Sequence, residues 1–254
     1  MIEGVSFPFI KFKSWVILMN GCLLIHGFTG GPHEIAPLEE YLRQKTDWHI
    51  VSPTLPGHGE RLRLKGVYYY EWVRSAEEEL KELLQICDKV YVVGFSMGGM
   101  IASFLAVKYP IAKLVLLSAA LYYVNPRQVG LDIKQIMKDA MRGTLLKSEL
   151  FQKYKRKIAS TPLSATAQFM KLVKDLKQYL PNVHTPTLIV QGLDDGVVPP
   201  KAAYALHESI GAAEKKLLFL EKAQHIICHC EEKDVLFQDI LSFLEEIPAK
   251  NSRD

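Results

Sequence analysis

The stretch that decides the fold is VYVVGFSMGG, residues Val90–Gly99. Its first half is a β-branched apolar run typical of a buried strand, and it leads into the helix-like run Met100–Val107 that stops before Pro110. Between the two lies G-x-S-x-G, in which small residues on either side of Ser96 permit a sharp strand-to-helix turn. We predict that this turn exposes the Ser96 hydroxyl at a helix N-terminus; a glycine-rich turn with a merely capping serine is the alternative.

Apolar runs of the same kind recur along the chain, with helical stretches between them. They are apolar continuously rather than alternately, which is typical of parallel strands covered by helices on both faces. Helical spacing of apolar residues is clearest over Val73–Cys87 and Leu236–Ile247. We therefore predict an α/β fold with a mostly parallel central sheet that binds ligands at the carboxyl ends of its strands. The predicted strands are Cys22–Ile25, His49–Val51, Val90–Val93, Leu114–Leu117, Leu188–Val190 and Leu217–Leu220, and Ser6–Met19 would add an antiparallel edge hairpin.

One segment breaks the alternation of strands and helices. Roughly 70 residues separate the strands at Leu114 and Leu188, far more than an ordinary connection needs. We interpret residues 125–181 as a small helical cap inserted into a core domain formed by residues 1–124 and 182–254. Met137 and Met141 lie on the apolar face of this cap and are candidate substrate-binding residues for an acyl chain. A long crossover with ordinary packing helices is the alternative.

Composition excludes several classes of protein. A chain of 254 residues with 48% hydrophobic and 23% charged residues is typical of globular proteins, not of disordered ones. The net charge of +3 does not indicate nucleic-acid binding, although the segment 125–182 alone carries twelve Lys and Arg against four Asp and Glu. The four cysteines show no regular spacing, and no secretory signal or membrane-spanning run is evident. We therefore predict a cytoplasmic location, with at most transient contact with a lipid interface.

A serine nucleophile requires a base that takes its proton and an acid that orients the base. His225 lies in a loop five residues after the predicted strand that ends at Leu220, so it is the predicted base. His229 is the competing candidate, four residues later. We interpret His184, before a strand, and His207, within a helical segment, as structural.

The acid follows the predicted strand around Leu188–Val190. The sequence there is GLDDGVV, residues Gly192–Val198, with two adjacent carboxylates. The pattern G-x-x-D-x-x-V favours Asp195 as the acid, and Asp194 remains the alternative.

Taken together, these motifs resemble the bacterial carboxylesterase and monoacylglycerol lipase group of α/β-hydrolases. The resemblance rests on HGFTGG (His26–Gly31), PGHG (Pro56–Gly59), GFSMGG, the G-x-x-D-x-x-V segment and the late histidine, and it is weakest in the cap. It implies a Ser96–Asp195–His225 triad and an oxyanion hole formed by the backbone N–H groups of Phe28 and Met97. It also implies hydrolysis of short- to medium-chain carboxylic esters, including monoacylglycerols, through an acyl-enzyme without a cofactor.

Alternatives remain at the level of the reaction. A thioesterase or a C–C hydrolase would use the same three residues, and a non-catalytic hydrolase-like binding protein would need none of them. The segment HIICHC, residues His225–Cys230, has four potential metal ligands on one loop but no second pair at zinc spacing, so we expect no metal. The expected partner is a small-molecule ester; the sequence does not specify an oligomeric state.

Overall fold

Six strands form one parallel sheet in the computed structural model, which describes residues 19–122 and 162–246. The spatial order is β2-β1-β3-β4-β5-β6, and every neighbouring pair is parallel. Each strand contains the run predicted for it, so the predicted α/β fold class is confirmed. The strands are β1 (Asn20–Ile25), β2 (His49–Val51), β3 (Lys89–Phe95), β4 (Lys113–Leu117), β5 (Thr187–Gly192) and β6 (Lys215–Leu220).

Helices connect the strands and cover both faces of the sheet. The last helix begins at Lys233, and the segment before it forms a separate three-ten turn at Ile227–His229. Further three-ten turns are Pro32–Glu34 and Lys177–Asn182. The helices are α1 (Ala36–Lys45), α2 (Tyr69–Ile86), α3 (Met97–Lys108), α4 (Leu163–Leu176), α5 (Lys201–Ser209) and α6 (Lys233–Glu245).

The sheet divides the apolar core into two layers. Side chains alternate along each strand, so Val90 and Val92 of β3 face one layer while Tyr91 and Val93 face the other. Helices α2, α3, α4 and α5 complete the first layer, and α1 and α6 complete the second. Both faces of the central strands are therefore buried from water, which explains why their sequences are apolar without alternation.

Part of the sequence prediction lies outside the described residues. This applies to residues 6–18 of the predicted edge hairpin and to residues 125–161 of the predicted cap, including Met137 and Met141. The described end of the predicted cap contains α4, which packs against the core through Ala165, Phe169 and Leu172. The cap and its boundaries remain predictions. No helix in the described ranges is long and apolar enough to cross a membrane.

Close packing of α3 against β1 requires a glycine at position 98. A Cβ atom there would lie 2.1 Å from the Ile25 carbonyl oxygen and 2.7 Å from that of His26. Gly94 is equally constrained, since its Cβ would lie 2.3 Å from the Gly98 carbonyl oxygen. The first turn of α3 can therefore touch the end of β1 only because these positions have no side chain.

We predict that Gly98→Ala separates α3 from β1. Overpacking of this kind costs about 1–3 kcal/mol of unfolding free energy, and we expect any activity that depends on Ser96 to fall at least tenfold, because the shift occurs beside this residue. Urea unfolding and kcat/KM measure the two effects. Gly196→Ala is the matched control, since nothing lies within 4 Å of a Cβ built at Gly196. Wild-type stability and activity in Gly98→Ala would contradict the packing argument.

Candidate active site

Ser96 occupies the turn between β3 and α3 in a left-handed backbone conformation. Its φ of 53° is unfavourable for a residue with a side chain. Neighbouring backbone groups hold it there: the Ser96 N–H donates to the Leu117 carbonyl at 2.9 Å, and the Ala120 N–H donates to the Ser96 carbonyl at 3.1 Å. The strained turn is thus fixed to the end of β4, with the Ser96 hydroxyl in contact with His225.

The structure brings Ser96, His225 and Asp195 into one hydrogen-bonded chain. His225 Nδ1–H donates to Asp195 Oδ2 at 2.8 Å, which leaves a lone pair on Nε2. This nitrogen lies 3.1 Å from Ser96 Oγ and can accept its proton. Ser96 and Asp195 are 5% and 7% exposed, so water has little access to either. The arrangement can therefore activate a hydroxyl nucleophile.

Asp195 is surrounded entirely by hydrogen-bond donors. Its Oδ1 accepts the Val197 and Val198 N–H groups, both at 2.8 Å, and its Oδ2 accepts Gln191 Nε2–H at 2.9 Å in addition to His225. Sequence reasoning missed Gln191, the buried residue that locks the carboxylate in place. Its place inside the buried strand β5 gave no signal of this role.

The loop after β1 is held by a neutral histidine. The Leu55 N–H donates to His26 Nε2 at 3.0 Å, so the proton of this imidazole is on Nδ1, which donates to the Gly27 carbonyl at 2.8 Å. Burial lowers the pKa of His26 to about 4, in keeping with a ring that remains uncharged. The Gly27 carbonyl and the Phe28 N–H belong to the same peptide unit, so His26 fixes the direction of that N–H.

Aromatic rings pack against the side chain of Phe28 on this loop. Phe28 stacks on Phe169 of α4 with ring centroids 4.8 Å apart, and it also contacts Trp72 and His58. Trp72 Nε1–H donates to the Pro56 carbonyl at 3.0 Å. His58 Nδ1–H also donates to that carbonyl, whereas its buried Nε2 has no partner among the described residues. Trp72 and Phe169 are fully buried whereas Phe28 is partly exposed, so the cluster supports Phe28 as an apolar surface on this loop.

The competing candidates lie elsewhere. His229 Nε2–H donates to the His33 carbonyl at 3.0 Å, and Asp194 is exposed. His184 lies before β5, and His207 is on α5.

The other proposed N–H donor, that of Met97, is in the first turn of α3, where backbone N–H groups have no acceptor within the helix. Gly98 packs against the carbonyl groups of Ile25 and His26, so this turn adjoins the loop that bears Phe28.

Comparison with known proteins identifies the family of the chain. Residues 20–234 match the model of the Hydrolase_4 family, described as serine aminopeptidase S33. The chain belongs to this family. It is thus an α/β-hydrolase, and its curated relatives are esterases and lipases.

Two curated relatives are similar over most of their length. A thermostable monoacylglycerol lipase of Bacillus sp. (strain H-257) is 30% identical over 234 residues, which cover 88% of this chain and 89% of the relative. A carboxylesterase of Bacillus subtilis (strain 168) is 22% identical over 229 residues, which cover 89% and 92%.

Solved structures share the fold. One, described with the metagenome-derived lipolytic enzymes LipS and LipT, has a TM-score of 0.72 at 24% identity and covers 89% of this chain and 93% of its own. A monoacylglycerol lipase from Paleococcus ferrophilus has a TM-score of 0.65 at 17% identity, with coverage of 88% and 93%. The predicted resemblance to α/β-hydrolases is confirmed.

We predict that this hydrolase loses stability in mild acid because of two buried histidines. Burial lowers the pKa of both His26 and His58 to about 4, whereas an unfolded histidine titrates near 6.5. The unfolded state therefore takes up protons first, and the unfolding free energy falls as the pH drops from about 6.5 to 4, by up to about 3 kcal/mol for each histidine.

Urea unfolding at pH 7, 6 and 5 measures this loss. His58→Phe should remove about half of the pH dependence, while the control His184→Ala, at an exposed position, should leave it unchanged. An equal pH dependence in wild type and His58→Phe would show that His58 does not contribute.

Proposed function

We propose that this hydrolase cleaves carboxylic esters of short- to medium-chain acids, monoacylglycerols among them, through an acyl-enzyme on Ser96. The observation that carries the proposal is the hydrogen-bonded chain from Asp195 through His225 to Ser96, with donor–acceptor distances of 2.8 and 3.1 Å. The 30% identity to a monoacylglycerol lipase supports the substrate class. The partly exposed Phe28 ring, which packs on the buried Phe169 and Trp72, offers an apolar surface that suits an alkyl chain better than a charged group.

In the first half of the reaction, Ser96 Oγ attacks the ester carbonyl while His225 Nε2 takes its proton. The carbonyl oxygen becomes an oxyanion, which the N–H groups of Phe28 and Met97 stabilise. The C–O bond to the alcohol then breaks, and His225 returns the proton to the leaving alkoxide. Asp195 remains ionised throughout and stabilises the charged imidazole.

In the second half, water replaces the alcohol. His225 takes a proton from the water, whose oxygen attacks the acyl carbonyl. Collapse of the second tetrahedral intermediate releases the carboxylic acid, and the proton goes from His225 back to Ser96. No step requires a cofactor, in line with the cofactor-free chemistry that the resemblance implies.

We predict that Ser96→Ala lowers kcat on p-nitrophenyl esters by about four to six orders of magnitude, because the nucleophile and its base act as one unit. A serine-directed phosphonate should modify wild type on the peptide that contains Ser96 and should not modify the variant, as read by mass spectrometry. Ser103→Ala is the matched control, since Ser103 is buried in α3 and its hydroxyl donates to the Gly99 carbonyl. Turnover by Ser96→Ala at the wild-type rate would refute the mechanism.

Substitution of the two adjacent carboxylates after β5 tests which of them is the acid of the triad. All four groups around the Asp195 carboxylate are donors, so Asp195→Asn places an amide N–H against another donor and disturbs the His225 tautomer. We expect kcat to fall about 10³- to 10⁴-fold. Asp194→Asn, which changes an exposed neighbour, should retain most activity; the reverse result would transfer the acid to Asp194.

Substrate class is tested with a panel measured side by side. Monoglycerides and p-nitrophenyl esters from acetate to palmitate should be hydrolysed, with the highest kcat/KM at short to medium chain length. An acyl-CoA thioester tests the thioesterase alternative, and an aminoacyl p-nitroanilide tests the activity after which the family is named. Faster turnover of either one than of every ester would overturn the proposed substrate class.

A further inference from the structure

The loop that bears Phe28 is also held by a carboxylate that the mechanism does not use. Glu34 lies on the three-ten turn Pro32–Glu34, and its Oε2 accepts the Gly27 N–H at 3.0 Å. Sequence reasoning gave Glu34 no role. A charged side chain that reaches back seven residues to a loop amide needs a physical explanation.

The loop sequence leaves room for this carboxylate. A Cβ atom at Gly30 would lie 2.0 Å from the Glu34 carboxyl carbon, so any side chain at position 30 would displace Glu34. On Gly27, a Cβ would lie 3.2 Å from Glu34 Oε2 and 3.1 Å from the Phe95 ring. Gly27 is thus enclosed between the carboxylate and an aromatic ring that also contacts His225.

The two hydrogen bonds of Gly27 act on consecutive peptide units. Glu34 holds the Gly27 N–H, and His26 Nδ1–H holds the Gly27 carbonyl. In a planar trans peptide the Phe28 N–H points opposite to that carbonyl, so its direction follows from the two bonds. Glycine has the widest conformational freedom of any residue, and with only one of these bonds Gly27 could rotate the next peptide.

We propose that Glu34 is a positioning residue of the oxyanion hole, whose carboxylate fixes Gly27 so that the Phe28 N–H points at the developing oxyanion. This inference rests on the proposed function, because it takes Phe28 as an oxyanion donor. Glu34 touches neither the substrate nor the reacting atoms.

The surroundings of Glu34 support a positioning role. His229 Nε2–H donates to the carbonyl of His33, which ties the turn carrying Glu34 to the segment that carries His225. Burial raises the pKa of the Cys228 thiol, and the charges of Cys230 and Glu34 add smaller contributions, which places the carboxylate beside this segment. The role needs only an acceptor, since a negative charge near an oxyanion opposes catalysis.

A matched pair of variants separates the acceptor from the charge. Glu34→Gln keeps an acceptor oxygen and should keep kcat within about threefold of wild type. Glu34→Met matches the length without a strong acceptor and should lower kcat about 10- to 100-fold, less than the ~10²–10³-fold loss typical of deleting an oxyanion donor. KM for a p-nitrophenyl ester should change less than threefold in both. Glu40→Ala, an exposed carboxylate on α1, is the control and should behave as wild type.

Ligand binding provides a readout that mere structural damage would not reproduce. A trifluoromethyl ketone forms an oxyanion on Ser96, so its affinity should fall in Glu34→Met in proportion to kcat/KM. The affinity for the carboxylic acid product should stay within about threefold. Equal activity in Glu34→Gln, Glu34→Met and wild type would overturn the proposal, and so would an equal loss in both variants.

A double-mutant cycle with Gly30 tests the contact itself. Gly30→Ala alone should reproduce the loss of kcat, because its Cβ displaces the Glu34 carboxylate. In the Glu34→Ala background the same change should cost little, since the clashing group is gone; additive losses would contradict the proposal. Should Glu34→Ala fail to fold by circular dichroism, the Glu34→Gln and Glu34→Met pair still tests the proposal.

Wild type that neither hydrolyses esters nor reacts with the phosphonate would refute the proposed function, whereas active wild type with unaffected Glu34 variants would refute only this inference.

Discussion

The site depends on the close contact between the first turn of α3 and the sheet. Ser96 is held at a φ of 53°, a strain on the order of 1–3 kcal/mol for a residue with a side chain. Hydrogen bonds to Leu117 and Ala120 stabilise this conformation. The absence of side chains at Gly94 and Gly98 provides the space that it needs. Because α3 touches the end of β1 there, the Met97 amide and the loop that carries Phe28 adjoin each other. Nucleophile and proposed oxyanion hole therefore share one packing constraint.

The order of the strands sets the remaining distances. Ser96 follows β3, Asp195 follows β5 and His225 follows β6, so β4 lies between the nucleophile and the other two residues. The end of β4 carries only small residues, Ser118-Ala119-Ala120, and Ser118 is itself held at a φ of 45° with its N–H on the Val190 carbonyl. Ala120 also donates its backbone N–H to the Ser96 carbonyl, so this short segment joins the end of β4 to the turn that carries the nucleophile. The strand order and this segment together place the three groups at one edge of the sheet.

Much of this site could be predicted from sequence because its markers are local. Ser96, Asp195 and His225 each follow a predicted strand within five residues, and parallel strands end at one edge. The hydrogen bonds of Glu34, Gln191 and His26 were not predictable in the same way. Glu34 acts across a loop, His26 binds the amide of Leu55, and Gln191 reads as one more strand residue. Only the double glycine Gly30-Gly31 indicated that another group packs closely against the backbone of this loop. The stacking of Phe28 on Phe169, 141 positions later in the chain, had no signal in sequence at all.

The chemistry proposed for the two halves of the site depends on one tautomer of histidine. In His225 the proton is on Nδ1 because Asp195 accepts it, and the free Nε2 faces Ser96. In His26 the proton is on Nδ1 because the Leu55 N–H occupies Nε2, and the Nδ1–H fixes the Gly27 carbonyl. The causes are opposite: an acceptor, Asp195, holds the proton on Nδ1 of His225, whereas a donor, the Leu55 N–H, keeps the proton off Nε2 of His26. Both rings must nevertheless be neutral for these roles. A second proton on His26 would set two donors against each other at Nε2 and release the peptide that carries the Phe28 N–H. Burial, which lowers the pKa of His26 to about 4, therefore keeps this ring neutral at near-neutral pH and protects the proposed oxyanion hole.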